Sequence, residues 1–178
     1  MAVPCIILMG VSGTGKTSVG MALARALNAK FLDGDDFHPR ENILKMAAGQ
    51  ALNDEDRLPW LTRISDVIFS LGQKNEAGVL VCSALKKRYR DTLRAGNAHV
   101  RFIWLQGDYQ FVLNRMRQRQ GHFMPEALLQ SQFATLEVPG EEEGDVIPVD
   151  ISPALSHIVS HCISLVSAAP AQMTKVAS

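Results

Sequence analysis

The sequence predicts a layered α/β domain with a largely parallel sheet, and three observations carry that prediction. Short apolar runs alternate with amphipathic stretches along the chain, a rhythm typical of strand–helix–strand units. The composition, 47% hydrophobic and 20% charged, excludes intrinsic disorder and collagen-like repeats. The length of 178 residues suits a single compact domain over 1–178, and we find no internal repeat.

Five short apolar runs are predicted to be strands. They lie near Cys5–Met9, Lys30–Asp33, Val79–Cys82, Val100–Leu105 and Val146–Val149. The amphipathic stretches between and after them are predicted to be helices. These lie near Lys16–Leu27, Arg40–Ala47, Trp60–Lys74, Lys86–Ala95, Tyr109–Gln118, Pro125–Leu136 and Pro153–Val166. Two boundaries have local causes: Asp108 can cap the helix after it, and Ser152-Pro153 supplies an N-cap and a first-turn proline.

The strand rhythm breaks between Gln118 and Asp145. A polar segment there leads into a short helix, then into Pro139-Gly140 and the acidic run Glu141–Glu143. Because this is too long for a simple connection, it predicts a mobile lid or insertion over about 118–145. The small, polar residues of the tail, about 169–178, are predicted to be frayed.

Charge and cysteine content exclude several classes of protein. Eighteen Lys and Arg balance eighteen Asp and Glu, which argues against a dedicated binder of nucleic acid or anionic membranes. The longest apolar runs have about five residues, too few to span a bilayer, and the N-terminus makes a poor signal peptide. Cys5, Cys82 and Cys162 are far apart and odd in number, which predicts buried reduced thiols in a cytoplasmic protein.

Residues 10–17 match the pattern G-x-x-x-x-G-K-[ST] in full, after an apolar strand and before an apolar-periodic helix. Glycines let such a loop wrap a phosphate with its N–H groups inward, and the helix directs its positive end to the same place. Lys16 can reach the β- and γ-phosphates, and the Thr17 hydroxyl can ligate Mg²⁺. The predicted phosphate-binding set is Gly10, Val11, Ser12, Gly13, Thr14, Gly15, Lys16 and Thr17.

The loop by itself predicts only that a nucleoside triphosphate is bound. A GTPase would also need Asn-Lys-x-Asp and Asp-x-x-Gly, and neither occurs. No apolar run ends in Asp-Glu, so the pattern of motor-type ATPases is missing too. A small ATP-dependent kinase remains.

Carboxylates follow the second predicted strand, in Asp33-Gly34-Asp35-Asp36. In an open parallel sheet ligands lie beyond the carboxyl ends of the strands, so Asp33 and Asp35 should face the phosphate loop. One carboxylate near Mg²⁺ and one near the acceptor hydroxyl is what phosphoryl transfer needs. The alternative is an acidic turn that caps the next helix, for which only Asp36 is suited by position.

Several arginines are candidates for anionic ligands. Arg57, flanked by acids and followed by Pro59-Trp60, could grip a substrate carboxylate with two parallel hydrogen bonds, or form an exposed salt bridge. Lys86 and Arg90 are one helical turn apart, as are Arg115 and Arg119. An arginine arriving with a closing lid would neutralise charge on a transferring phosphoryl group, whereas a solvated helix face is the alternative.

Four stretches of the chain resemble the gluconate kinases, small P-loop kinases related in fold to shikimate and nucleoside-monophosphate kinases. They are GVSGTGKT at 10–17, DGDDFHPRENILKMAAGQALNDEDRLPWL at 33–61, CSALKKRYRDTLR at 82–94 and HFMPEALLQSQFATLEVP at 122–139. They cover almost the whole chain in order and at the family's spacing. The second and fourth are more specific than the phosphate loop, because other small kinases do not share them.

The resemblance implies a three-layer P-loop kinase fold, with a five-stranded parallel sheet flanked by helices and a lid segment. It implies phosphorylation of D-gluconate on its 6-hydroxyl by ATP with Mg²⁺, giving 6-phospho-D-gluconate and ADP. It also implies a cytoplasmic protein and a homodimer.

The resemblance also assigns roles to residues. The loop residues, Lys16 among them, would bind the ATP phosphates and Mg²⁺, with Asp33 supporting the metal together with Thr17. Asp35 would receive the acceptor hydroxyl as general base, and Arg119 would reach ATP from the lid. The implied contacts to gluconate are Asp35, His38, Arg57, Arg90, His122 and Gln132.

Two alternatives stay open. One is a related kinase acting on another small acid, such as shikimate, or on a nucleoside monophosphate. The other is a regulatory protein that binds ATP to switch a partner surface. The regulatory alternative requires a loss in the catalytic set, yet Lys16, Thr17, Asp33 and Asp35 are all present.

Overall fold

A single parallel sheet of five strands forms the centre of the computed structural model, which describes residues 4–119 and 126–167. The strands lie in the order β2-β3-β1-β4-β5, and every neighbouring pair is parallel. Their bounds are β1 Cys5–Met9, β2 Lys30–Asp33, β3 Gly78–Val81, β4 Val100–Gln106 and β5 Val146–Asp150.

Helices cover both faces of this sheet. Their bounds are α1 Lys16–Leu27, α2 Arg40–Ala47, α3 Asp54–Gln73, α4 Lys87–Arg94, α5 Tyr109–Gln118, α6 Glu126–Thr135 and α7 Leu155–Ser167. A short 3-10 helix, Gly34–Phe37, follows β2. None of the described helices is long and apolar enough to cross a membrane.

The alternation of side chains along the central strand β1 separates two cores. Ile6 and Leu8 are buried in a cluster to which α1, α5 and α7 contribute. Ile7 and Met9 point the opposite way, into a cluster with residues of α3 and α4. The predicted three-layer architecture is confirmed, and it places the carboxyl ends of all five strands at one edge.

Helix α3 is the main difference from the predicted elements, since it begins at Asp54 rather than near Trp60. The Asn53 side chain accepts from Asp56 N at 2.8 Å, and the Asp56 carboxylate accepts from Asn53 N at 3.0 Å. This capping box fixes a first turn ahead of Pro59, so the proline lies inside the helix instead of starting it. The other predicted bounds agree within two residues.

The second half of the predicted lid, residues 136–145, is fixed to the body of the protein, and we call it the anchor segment. Glu137 N donates to Leu85 O at 2.8 Å, and the Glu137 carboxylate accepts from Lys87 N at 2.8 Å. Asp145 pairs with Arg94 at 2.7 Å. Residues 120–125, which include His122, and the predicted tail at 169–178 lie outside the described residues.

Candidate active site

Glycines shape the loop that joins β1 to α1. Gly10, Gly13 and Gly15 have φ values of 135°, 82° and 88°, which other residues rarely adopt. A Cβ on Gly10 would lie 2.8 Å from the Leu105 carbonyl oxygen, and one on Gly13 would lie 2.8 Å from Met116 Cγ. The loop therefore needs glycine at these positions for both conformation and space.

Internal hydrogen bonds hold the loop around an ammonium group. Thr14 Oγ1 donates to Val11 O at 3.0 Å, and Gly10 N donates to Ser83 O at 3.1 Å. Lys16 Nζ donates to Gly10 O at 2.9 Å and to Val11 O at 2.8 Å. Because α1 begins at Lys16, its N-terminal N–H groups open into the same loop, and this donor set fits a phosphate.

The pKa of Lys16 reflects two predicted acids that lie near the loop. Burial lowers the pKa of Lys16 to about 8, and nearby Asp35 and Asp33 pull the pKa of the ammonium back upward. The carboxylates at the end of β2 therefore lie within electrostatic reach of the loop, as the sequence predicts.

Asp33 and Asp35 differ in their surroundings. Asp33 Oδ1 accepts from Asp35 N at 3.0 Å and caps the 3-10 helix. Helix α2 begins after Pro39 with no side-chain cap, so the alternative of a cap from Asp36 is not what the described residues form. Among the described residues, none hydrogen-bonds the Asp35 carboxylate. Partial burial and the charge of Asp33 raise the pKa of Asp35, while His38 and Lys16 act in the opposite direction. An unpartnered carboxylate with a raised pKa suits a general base.

Neighbouring residues fix both the ring plane and the tautomer of His38. Its ring stacks on Trp60 with centroids 4.2 Å apart, and Trp60 Nε1 donates to Gly34 O at 2.7 Å. Asn42 Nδ2 lies 2.9 Å from Asp56 O and 3.2 Å from His38 Nδ1. Since a carbonyl only accepts, Asn42 donates to both, and the proton of a neutral His38 is on Nε2. Burial and Arg57 lower the pKa of His38, against the pull of Asp35.

Arg57 has no carboxylate partner among the described residues, although acids flank it. Asp56 pairs with Lys45 at 2.6 Å, and Asp54 pairs with Lys86 at 3.1 Å. Arg57 Nη1 donates instead to the neutral Tyr89 hydroxyl at 3.1 Å. Within the described part of the chain, the salt bridge that we considered for Arg57 does not form, and its charge is available for an anion.

Arg90 corrects the sequence-based prediction that it contacts the substrate. The side chain is 0% exposed, and its Nε and Nη2 each donate to the Glu143 carboxylate at 2.8 Å. Nη1 donates to Ala84 O at 2.8 Å, and Nη2 also donates to Glu137 O at 2.9 Å. Every nitrogen of the guanidinium is therefore occupied, Nε and Nη2 by the anchor segment and Nη1 by Ala84 O, and a substrate cannot reach it.

The side chain of Gln132, on α6, contacts the phosphate loop. Its Oε1 accepts from Ser12 N at 2.7 Å, and its Nε2 donates to Ser12 Oγ at 3.0 Å. This contact ties α6 to the loop, so a contact between Gln132 and an acceptor stays a prediction. The predicted contact His122 is outside the described residues.

Arg115 lies at the phosphate loop, although the sequence analysis named it only as the neighbour of Arg119 and gave it no role. Its Nη2 lies 3.2 Å from the place where a Cβ on Gly15 would stand, which sets the guanidinium against the loop. Burial and the charge of Arg119 lower the pKa of Arg115. Arg119 itself is exposed at the end of α5. The available signal was the one-turn spacing of the two arginines.

The site thus lines up four groups, namely Lys16, Asp35, His38 and Arg57. Each of these groups interacts electrostatically with the next one in this order, as the causes of the pKa shifts of the first three show. Asn42 and Tyr89, which orient His38 and Arg57, were missed because nothing in their local sequence marks them.

Known proteins resemble this chain over nearly its full length. The family model described as shikimate kinase matches residues 12–147. The thermosensitive gluconokinase of Escherichia coli K12 is 55% identical over 91% of this chain and 87% of its own length. The thermoresistant gluconokinase of the same organism is 48% identical over 90% and 91%. A crystal structure of a gluconokinase from Sinorhizobium meliloti 1021 has a TM-score of 0.81 at 41% identity, with 98% and 93% covered.

Proposed function

The chain belongs to the gluconokinase family of P-loop kinases, and on that premise we propose that it transfers the γ-phosphoryl group of ATP to the 6-hydroxyl of D-gluconate. The products are 6-phospho-D-gluconate and ADP. One observation carries the proposal. Among the residues that the structure describes, Asp35 has no hydrogen-bond partner on its carboxylate and Arg57 has no carboxylate partner, and both belong to one series of interacting groups that begins at the phosphate loop.

The phosphate loop supplies the ATP site. Its N–H groups and the N-terminus of α1 would bind the phosphates, and Lys16 would exchange two carbonyls for phosphate oxygens. Thr17 at the start of α1 and Asp33 at the end of β2 offer the oxygen ligands that Mg²⁺ prefers. Bound there, Mg²⁺ supplies positive charge that neutralises the triphosphate.

Asp35 is the general base of the proposed reaction. It accepts the proton of the 6-hydroxyl as that oxygen forms a bond to the γ-phosphorus, and the bond from phosphorus to the bridging oxygen breaks to release ADP. The raised pKa of Asp35 brings its basicity closer to what proton transfer at neutral pH requires.

Arg57 and His38 would orient gluconate. The carboxylate of gluconate is on C1 and the reacting hydroxyl is on C6, at opposite ends of the carbon chain. Arg57 suits the carboxylate, and the Nε2–H of His38 suits a hydroxyl between the two ends. A substrate held at its C1 end then presents the 6-hydroxyl to Asp35, which accounts for the position of phosphorylation.

Some parts of the proposal concern the whole protein. The chain is one domain over 1–178 with a lid over part of about 118–145, and His122 and Gln132 contact gluconate when that lid closes. Arg119, with Arg115 beside it, contacts ATP. The protein works in the cytoplasm as a homodimer.

Coupled ADP release tests the proposed function. The purified protein with Mg²⁺ and ATP is assayed against gluconate, other aldonic acids, shikimate, AMP and no acceptor. We expect turnover with gluconate and none with shikimate or AMP. Turnover with another acceptor alone would keep the kinase and discard the substrate, whereas ATP binding without any turnover would favour the regulatory alternative.

A further inference from the structure

A polar cluster between α3 and α4 surrounds Arg57 without neutralising it. The Tyr89 hydroxyl accepts from Arg57 Nη1 at 3.1 Å and donates to the Asp54 carboxylate. That carboxylate also pairs with Lys86 Nζ at 3.1 Å and with Arg88 Nη1 at 2.8 Å. The negative charge of Asp54 is therefore shared by two other cations, and the phenol separates it from Arg57.

The single proton of Tyr89 fixes the direction of these hydrogen bonds. Hydrogen bonds from Tyr89 and Lys86 lower the pKa of Asp54, so this carboxylate is ionised at neutral pH and takes the phenolic proton. Burial and the bond to Asp54 raise the pKa of Tyr89, so the phenol stays neutral. Tyr89 can then only accept from Arg57, which is oriented without losing its charge.

The position of Tyr89 makes this orientation rigid. Tyr89 is a residue of α4 that is only 6% exposed and packs in the same core as residues of α3, and the Arg57 guanidinium lies 5.7 Å from its ring centroid. A buried ring has little freedom, so the hydroxyl is a fixed acceptor for one N–H of Arg57. The remaining N–H groups of the guanidinium are left for an external anion.

We propose that Tyr89 is a positioning residue that, with Asp54, presents Arg57 uncompensated to the carboxylate of the acceptor and so sets the preference for an acidic acceptor over a neutral polyol. This inference rests on the proposed function. It assigns Tyr89 no contact with the substrate, and all of its effect passes through Arg57. A neutral polyol would leave the oriented cation unpaired, which disfavours its binding.

A double-mutant cycle tests whether the effect of Tyr89 passes through Arg57. Wild type, Tyr89→Phe, Arg57→Gln and the double variant are compared by kcat/KM for gluconate at saturating Mg²⁺-ATP. We expect Tyr89→Phe to lower kcat/KM about 10-fold, the scale of one hydrogen bond to a charged group, through KM and with kcat unchanged. In the Arg57→Gln background the same substitution should change kcat/KM less than about twofold.

Tyr109→Phe is the matched control, because the Tyr109 hydroxyl also binds a carboxylate, that of Glu126, at 3.0 Å. It should keep wild-type kinetics, and the KM for ATP should be unchanged in Tyr89→Phe. An unchanged KM for gluconate in Tyr89→Phe, or an equal loss with and without Arg57, would overturn the inference.

The cycle also separates this inference from the proposed function. If the wild-type protein phosphorylates a different acidic acceptor, the proposed substrate is wrong, and the same cycle on that acceptor tests Tyr89. Turnover of neutral acceptors alone would overturn both.

Discussion

The phosphate loop and the acceptor side of the site are built in different ways. The loop is one run of eight residues, shaped by three glycines with positive φ and by hydrogen bonds largely within the run. The acceptor side draws on the end of β2, on α3 and on α4, and its groups are oriented by residues up to 35 positions away. The loop depends on backbone geometry, whereas acceptor recognition depends on which charges are left unpaired.

The largest expected effect is in the loop. Lys16→Ala should lower kcat about 10³-fold, because one charge that would stabilise the transferring phosphoryl group is lost. Steady-state ADP release measures this. Lys30→Ala is the control, because Lys30 begins β2, at the end of the strand away from Asp33, and forms an exposed ion pair with Glu76. Near-normal turnover by folded Lys16→Ala protein would contradict the assignment of the loop.

The next effect separates Arg90 from Arg57. Glu143→Gln should lower the free energy of unfolding by about 3–5 kcal/mol, because it leaves the fully buried Arg90 guanidinium without its ionic partner. The KM for gluconate of the folded fraction should not change. Denaturant titration measures the loss, and Glu141→Gln, an exposed acid of the same run, is the control. A raised KM with unchanged stability would return Arg90 to the acceptor site.

Asp35 tests the boundary between the two regions. Asp35→Asn should lower kcat about 10²-fold, the lower end for loss of a general base, and leave ATP affinity largely intact. Single-turnover kinetics and ATP titration measure the two quantities, with Asp36→Asn as the neighbouring control. If ATP affinity collapsed instead, Asp35 would belong to the metal site and Asp33 would be the candidate base.

The smallest effect is a pH dependence of the loop. The pKa of Lys16 is lowered to about 8 in the free protein, and bound phosphates favour the charged form. ATP affinity is therefore highest well below pH 8, where Lys16 is already charged in the free protein. It falls as the pH rises through this value and at pH 9 is about 10-fold weaker than at low pH. Calorimetry in buffers of different ionisation enthalpy should show proton uptake on ATP binding at pH 9. Constant affinity from pH 7 to 10 would contradict the shift.

The sequence predicts the loop and the fold well because both depend on local pattern. The eight residues of the loop contain their own conformational requirement, and alternating apolar runs define strands and helices. Asp33 and Asp35 were placed correctly near the loop because the carboxyl ends of parallel strands share one edge of the sheet.

The sequence does not distinguish Arg57 from Arg90. Both lie in charged stretches, yet only Arg90 meets an acid 53 positions away, in a run that we assigned to a mobile lid. A partner so distant in sequence leaves no local trace. The start of α3 was misplaced for a different reason, since the capping box of Asn53 and Asp56 is a local signal that the prediction did not use.

The strand order has a consequence for how the chain assembles during synthesis. β1 and β2 do not touch each other, and each hydrogen-bonds β3, so neither has a partner until about residue 81 has left the ribosome. The hydrogen bond from Gly10 N also cannot form until its acceptor, Ser83 O, has been synthesised. A nascent chain halted before this point exposes apolar strands and has no closed phosphate loop, so its first half depends on protection from aggregation until the second half begins to arrive.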